Sequence, residues 1–223
     1  MKPLLNTLAI AALLSPCLAQ SAPEQTPISK KRLSVYQTDL ICPAARHIGC
    51  GSAAKPLLLE LERDAHVDEA WLNRAGTVVA VVWKEPRTTK PRTEIIQSVF
   101  KEQNVRELKG EAREQALKGF LSGNGWYRGA AVDRLSEEEA VIMAARLVRK
   151  MRALISVPEE KASALQQAFT AVLARKLTNG ATQDPSETHA ELLKICRQHF
   201  DEKEIAVLQQ AYDKGAFSHL RDD

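Results

Sequence analysis

The sequence is poor in aromatic residues and in cysteine, and its positive and negative charges nearly cancel. Phe, Trp and Tyr make up 5% of the 223 residues and four residues are Cys, which excludes a small disulfide-stapled fold. The 31 Lys and Arg residues exceed the 28 Asp and Glu residues by three. This balance is not that of a strongly basic nucleic-acid-binding domain, and we expect no nucleic-acid partner. The core has to be built mainly from Leu, Val, Ile and Ala.

Familiar enzyme signatures are also missing from the sequence. The chain contains no Gly-x-Ser-x-Gly elbow, phosphate-binding glycine loop, dinucleotide fingerprint or His-Glu-x-x-His motif. A thiol oxidoreductase would need an exposed thiol of low pKa, and the chain lacks the close Cys-x-x-Cys pair typical of that class. The sequence therefore favours a protein without catalytic activity and leaves the point open.

Residues 1–19 have the three parts of a cleavable secretory signal. Lys2 provides the positive start, residues 4–14 the apolar segment, and residues 17–19 the cleavage site. The apolar segment is shorter than the roughly 20 residues that span a bilayer, and no later run is long enough, so we predict no membrane span. Residues 14–17 resemble a bacterial lipidation box, but Pro16 replaces the small residue preferred there, and we do not expect Cys17 to be acylated. The signal predicts a periplasmic or secreted protein.

Composition and periodicity divide the rest of the chain into three parts, and the predicted fold class is α+β. Residues 20–32 are typical of a flexible linker. Residues 33–109 predict an α+β domain, and residues 110–223 predict an all-helical domain. In the α+β domain the predicted order is strand 33–40, helix 52–63, strands 67–73 and 78–83, helix 93–103 and strand 105–108. This β-α-β-β-α-β order is the ferredoxin-like arrangement.

Helix-start signals recur after residue 110 and predict a small bundle. Three residue pairs have the spacing of a capping box: Ser136–Glu139, Ser156–Glu159 and Asp201–Glu204. Pro185 has the residue type favoured at the first position of a helix. Apolar residues form one stripe on each of the helices that begin near residues 136 and 158, which indicates bundle core rather than a cofactor site.

Cys42, His47 and Cys50 lie within nine residues, on a predicted loop between the first strand and the first helix. Two thiols and an imidazole are donors for soft metal ions such as mercury or copper. A position before a helix N-terminus also favours the thiolate form of a cysteine. In an oxidising compartment the same cysteines could instead form a structural Cys42–Cys50 disulfide. Both interpretations stay open, whereas Cys196 is expected to be a buried, inert thiol.

The order of elements and the position of these cysteines resemble the heavy-metal-associated domain of copper chaperones and of periplasmic mercury-binding proteins. The resemblance covers residues 33–109 and does not extend to the helical part. It implies a ferredoxin-like fold and soft-metal binding, with Cys42 in the place of the first family ligand. The family motif is Met followed by Cys-x-x-Cys, whereas this chain has Ile41, and seven residues separate Cys42 from Cys50.

Trp126, Tyr127 and Arg128 lie among glycines on a predicted loop. Residues of these types dominate protein-binding hot spots, so the loop is a candidate partner-binding segment, or else it anchors itself to the neighbouring domain. Two functions are therefore expected. One is an exported, non-catalytic protein that handles a soft metal or thiols through Cys42, Cys50 and His47. The other is a periplasmic interaction or scaffold protein whose Cys42–Cys50 disulfide is purely structural.

Overall fold

The chain forms a mixed α+β structure in this computed structural model, with one main antiparallel sheet and a larger share of helix. The structure describes residues 28–86, 89–101, 103–179 and 185–218. The predicted signal and most of the predicted linker lie outside the described residues. At the end of the linker, Lys30–Arg32 forms a 3-10 turn, and Arg32 Nε donates a hydrogen bond of 2.6 Å to the Trp83 carbonyl oxygen.

Five of the described strands form the main sheet and two form a separate hairpin. The strands are β1 (Leu33–Gln37), β2 (Ile41–Cys42), β3 (Ala45–Gly49), β4 (Val67–Asn73), β5 (Val78–Trp83), β6 (Arg106–Glu107) and β7 (Trp126–Arg128). The main sheet has the order β6-β1-β5-β4-β7, and β2 pairs with β3. Strand β5 lies in the middle and five of its six residues are buried, which explains why this run is apolar on both faces.

Helices cover the sheet and continue beyond it. They are α1 (Gly51–Arg63), α2 (Thr89–Val99), α3 (Gly110–Leu121), α4 (Asp133–Arg152), α5 (Glu159–Thr178), α6 (Pro185–Cys196) and α7 (Glu202–Asp213). Residues of α1 and α2 share a core with one face of β5, and Leu117 and Phe120 of α3 pack on the other face. Among the described residues, none of these helices is both long enough and apolar enough to cross a bilayer.

Two segments predicted as loops are strands. Residues 41–52 contain the β2–β3 hairpin, which is held to the β4–β5 turn by a 2.6 Å hydrogen bond from the Gly49 N–H to the Arg74 carbonyl oxygen. The two backbones approach so closely that a Cβ added to Gly49 would lie 2.9 Å from the Gly76 Cα. The predicted loop at 126–128 is strand β7, which pairs with β4 at the edge of the sheet.

The capping-box predictions had mixed outcomes. Asp201 and Glu204 form the reciprocal box at the start of α7, as predicted. The other two boxes are wrong. Helix α4 begins at Asp133, so Ser136 and Glu139 lie inside it and are fully buried. Helix α5 is preceded by Pro158, which provides no side-chain cap.

The helical part packs directly against the start of α1. Lys55 Nζ of α1 donates hydrogen bonds to Asp133 Oδ2 of α4 at 2.6 Å and to the carbonyl oxygen of Thr178 of α5 at 3.1 Å. Leu135 of α4 belongs to the same buried core as Leu58 of α1. The N-terminal turn of α1 therefore lies where the sheet part meets the helices.

Candidate functional site

Cys42 lies on β2, opposite Ala45 of β3, and is fully buried. Burial raises the pKa of its thiol to about 11, and the nearby negative charges of Glu139 and, to a smaller extent, Cys50 add to the rise. At neutral pH Cys42 is therefore a protonated thiol, which makes it a poor nucleophile.

Cys50 is the residue immediately before α1 and is 8% exposed. Its Sγ lies 3.4 Å from the Ser52 hydroxyl. Cys42, Cys50 and Cys196 are free thiols, and no disulfide joins any of these described cysteines. A negative charge on Cys50 would raise the pKa of Cys42, but its contribution is the smallest of those that act on this thiol. The Cys42–Cys50 disulfide is thus not formed in this structure, and it stays one of the two interpretations that the sequence leaves open.

His47 does not join the two thiols. It lies at an exposed position of β3, whereas Cys42 and Cys50 face the protein interior. In the described part of the chain, no three His, Cys, Asp or Glu side chains are close enough to bind one metal ion. Arg46 and His47 are both exposed in the middle of β3, so the structure does not assemble the three-ligand set.

Trp126, Tyr127 and Arg128 are half-buried on β7 and contact the sheet and the helices around it. The Trp126 ring meets Phe120 edge to face at a centroid distance of 5.2 Å. Arg128 Nε is 2.6 Å from Glu62 Oε1, and its Nη1 is 2.8 Å from Glu69 Oε1. These contacts anchor the segment to its own chain, and whether it also binds a partner stays a prediction.

Comparison with known proteins gives no family assignment. No protein-family model, curated protein or solved structure matches the chain. What the chain can do must therefore follow from the geometry of its own residues.

An apolar cavity of about 750 Å³ lies between the β2–β3 hairpin and helices α4 to α7. The β1–β2 connection, the hairpin and the start of α1 contribute one part of its wall, including Cys50. The helices contribute the rest, mainly with large apolar side chains: Met143, Met151, Phe169, Leu173, Leu192 and Leu208. Cys196 of α6 lines the same cavity, so two free thiols face it.

Four polar side chains from α5, α6 and α7 also line the cavity: Lys176, Thr188, His189 and Tyr212. The His189 and Tyr212 rings are stacked, with centroids 3.4 Å apart and planes 10° from parallel. Burial lowers the pKa of His189, and the nearby Asp213 opposes this shift. Lys176 of α5 has a side chain that is 17% exposed, and its Nζ lies 3.6 Å from Glu187 Oε2. A few polar groups among many apolar ones is the usual composition of a small-molecule site.

The sequence did not predict the cavity, because its wall combines residues 39–53, Gln103 and residues 143–217, which are far apart in the chain. The helical spacing of Phe169, Leu173 and Leu177 predicted bundle core, and these residues do face inward. Lys176 follows Leu173 by three residues and therefore lies on the same side of α5. A lysine on the same side of the helix as an apolar stripe was the sequence feature that could have indicated the cavity.

Proposed function

We propose that the chain is an exported, non-catalytic protein that binds a small apolar molecule in the cavity between the β2–β3 hairpin and helices α4 to α7. The cavity itself carries the proposal. Its volume of about 750 Å³ lies within the range of about 300–1,000 Å³ typical of small-molecule sites, and its wall is mainly apolar. The predicted signal supports the exported location.

The state of two of the described thiols supports binding rather than thiol exchange. Burial raises the pKa of both Cys42 and Cys196 to about 11. An exchange-active cysteine needs an accessible thiolate near neutral pH, and these two groups are buried and protonated.

The experiment that tests the proposal is a titration of the purified chain with Nile red, a neutral dye whose fluorescence rises in apolar surroundings. We expect saturable binding at a single site. Leu193 lines the cavity, so Leu193→Trp fills part of it and should weaken binding by about tenfold or more. Val207→Trp is the matched control, because Val207 is 42% exposed on α7 and does not line the cavity.

Two results would contradict the proposal. One is the absence of saturable dye binding to the wild-type chain. The other is equal binding by the wild type and Leu193→Trp, with both variants shown to be folded by circular dichroism, since the dye would then lie elsewhere.

Soft-metal binding is a second candidate function, because Cys42 on β2 and Cys50 immediately before α1 are both buried free thiols. Two thiols are enough to hold copper(I) or mercury(II) linearly. The order β6-β1-β5-β4 with α1 and α2 supports the ferredoxin-like arrangement of the family that this segment resembles. Stoichiometric copper(I) uptake that is lost in Cys42→Ser and kept in Cys196→Ser would support this candidate, and no uptake would exclude it.

A scaffold role is the remaining alternative, with Trp126, Tyr127 and Arg128 as the partner-binding segment. The ion pairs of Arg128 with Glu62 and Glu69 favour an internal role for that residue. The ligand-binding proposal therefore rests on the cavity and needs no partner protein.

A further inference from the structure

We infer that the ligand of this cavity is a single-chain amphiphile with a carboxylate head group, of the class of long-chain fatty acids, and that its carboxylate is bound by Lys176. This inference rests on the proposed function, because it names the class of molecule that the cavity takes. The inference starts from the contrast between the mainly apolar wall of the cavity and one positively charged residue in it, Lys176.

The wall requires a ligand with a long apolar part. Met151, Phe169 and Leu208 are each less than 5% exposed, and all three line the cavity. Placing apolar ligand surface against them removes that surface from water, at roughly 25 cal/mol for each Å². A ligand that is polar along its whole length would lose its hydration there without gaining hydrogen bonds.

Lys176 supplies an underused positive charge at the same cavity. An ammonium group has three hydrogen-bond donors. Lys176 donates no hydrogen bond to any described residue, and its nearest carboxylate oxygen, on Glu187, is 3.6 Å away. The Glu187 side chain is 65% exposed, so this pair is weak, and the Lys176 side chain as a whole is 17% exposed. A ligand carboxylate would accept hydrogen bonds that no described residue accepts from this ammonium.

The other polar groups of the wall are compatible with an anion at this position. Thr188 and Tyr212 carry hydroxyl groups that can donate to a carboxylate, and His189 is stacked on Tyr212 beside them. The acidic residue of the wall, Asp39, is exposed and belongs to the β1–β2 connection rather than to the helix that carries Lys176. A cationic head group at the same position would lie beside the Lys176 ammonium and would be repelled by it.

The test is displacement of Nile red from the full chain by three amphiphiles of equal chain length: lauric acid, 1-dodecanol and dodecylamine. All three are used below the concentrations at which they aggregate. We expect laurate to displace the dye with an affinity about tenfold higher than that of dodecanol, as one charge-assisted hydrogen bond would give. Lys176→Met should abolish this preference and leave dodecanol binding unchanged.

Two further variants separate head-group recognition from general effects. Lys176→Arg keeps the positive charge and should keep most of the preference for laurate. Lys203→Met removes an equal charge from an exposed position on α7 and should change nothing. Equal affinity for the three amphiphiles, tighter binding of dodecylamine, or an unchanged preference in Lys176→Met would each overturn the inference while leaving the cavity proposal intact. A wild-type chain that binds no Nile red would instead overturn the proposed function, and this inference with it.

Discussion

Gly51 and Ser136 are in contact at the point where α1 meets α4. A Cβ built on Gly51 would lie 2.5 Å from Ser136 Oγ and 2.6 Å from the carbonyl oxygen of Val132. The two helices can approach this closely because residue 51 has no side chain. Since Cys50 immediately precedes Gly51, the same contact fixes one wall of the cavity.

The first prediction concerns this contact. Gly51→Ala should lower the free energy of unfolding by about 1–3 kcal/mol, because overpacking moves backbone as well as side chains. Chemical denaturation measures the change. Gly119→Ala is the matched control in α3, where an added Cβ meets nothing within 4 Å. That variant should gain up to about 1 kcal/mol from the higher helix propensity of Ala. A neutral Gly51→Ala would show that α4 does not pack on α1 as described.

The second prediction concerns alkaline pH. The pKa values of Cys42 and Cys196 rise from about 9 to about 11 in the folded chain. Between these values the unfolded chain has lost the thiol protons and the folded chain keeps them, so the free energy of unfolding falls as the pH rises from 9 to 11. Denaturation across this range measures the slope. Cys196→Ala should have a shallower slope than the wild type, and equal slopes would contradict the assignment to Cys196.

The third prediction concerns the redox state of the cysteines. Without reductant, we expect Cys42, Cys50 and Cys196 all to be alkylated after unfolding, because the structure holds all three as free thiols. Mass spectrometry of the alkylated peptides measures this directly. A peptide in which Cys42 is linked to Cys50 would instead establish the structural disulfide. Such a short loop would add less than the roughly 3 kcal/mol of a 15-residue loop.

The fourth prediction concerns Arg128 as an internal anchor. Arg128→Gln should lower the free energy of unfolding by about 1 kcal/mol, because one guanidinium holds Glu62 and Glu69 and also lies 5.9 Å from the Trp71 ring centroid. Arg63→Gln is the control, since Arg63 is 75% exposed and pairs with Glu60 on its own helix. That variant should stay within about 0.5 kcal/mol of the wild type. Equal stabilities of the two variants would contradict the anchoring role of Arg128.

Local patterns predicted much of the secondary structure. Strands 67–73 and 78–83 have the predicted bounds. The β5 run is apolar on both faces, and such a run is buried on both faces only at the centre of a sheet. The capping box at Asp201 was also predictable, since both of its partners lie within one helical turn. These features depend on interactions between residues that are close in the sequence.

The site depends on contacts between distant residues and was not predictable in the same way. Ser136 and Glu139 have the spacing of a capping box, but tertiary packing extends α4 by a turn before them and buries both. His47 is close to Cys42 and Cys50 in sequence, yet it is exposed on β3 while both cysteines are buried. The cavity forms where residues 39–53 meet residues 143–217, and no local pattern encodes that meeting.

Lys55 joins α1 to both α4 and α5. Since both parts of the chain contribute residues to the wall, the cavity exists only while they are docked. Cutting the chain between residues 109 and 110 would leave each fragment with an incomplete wall and its apolar side chains in water. Occupancy of the cavity would therefore report directly on whether the fragments have reassociated.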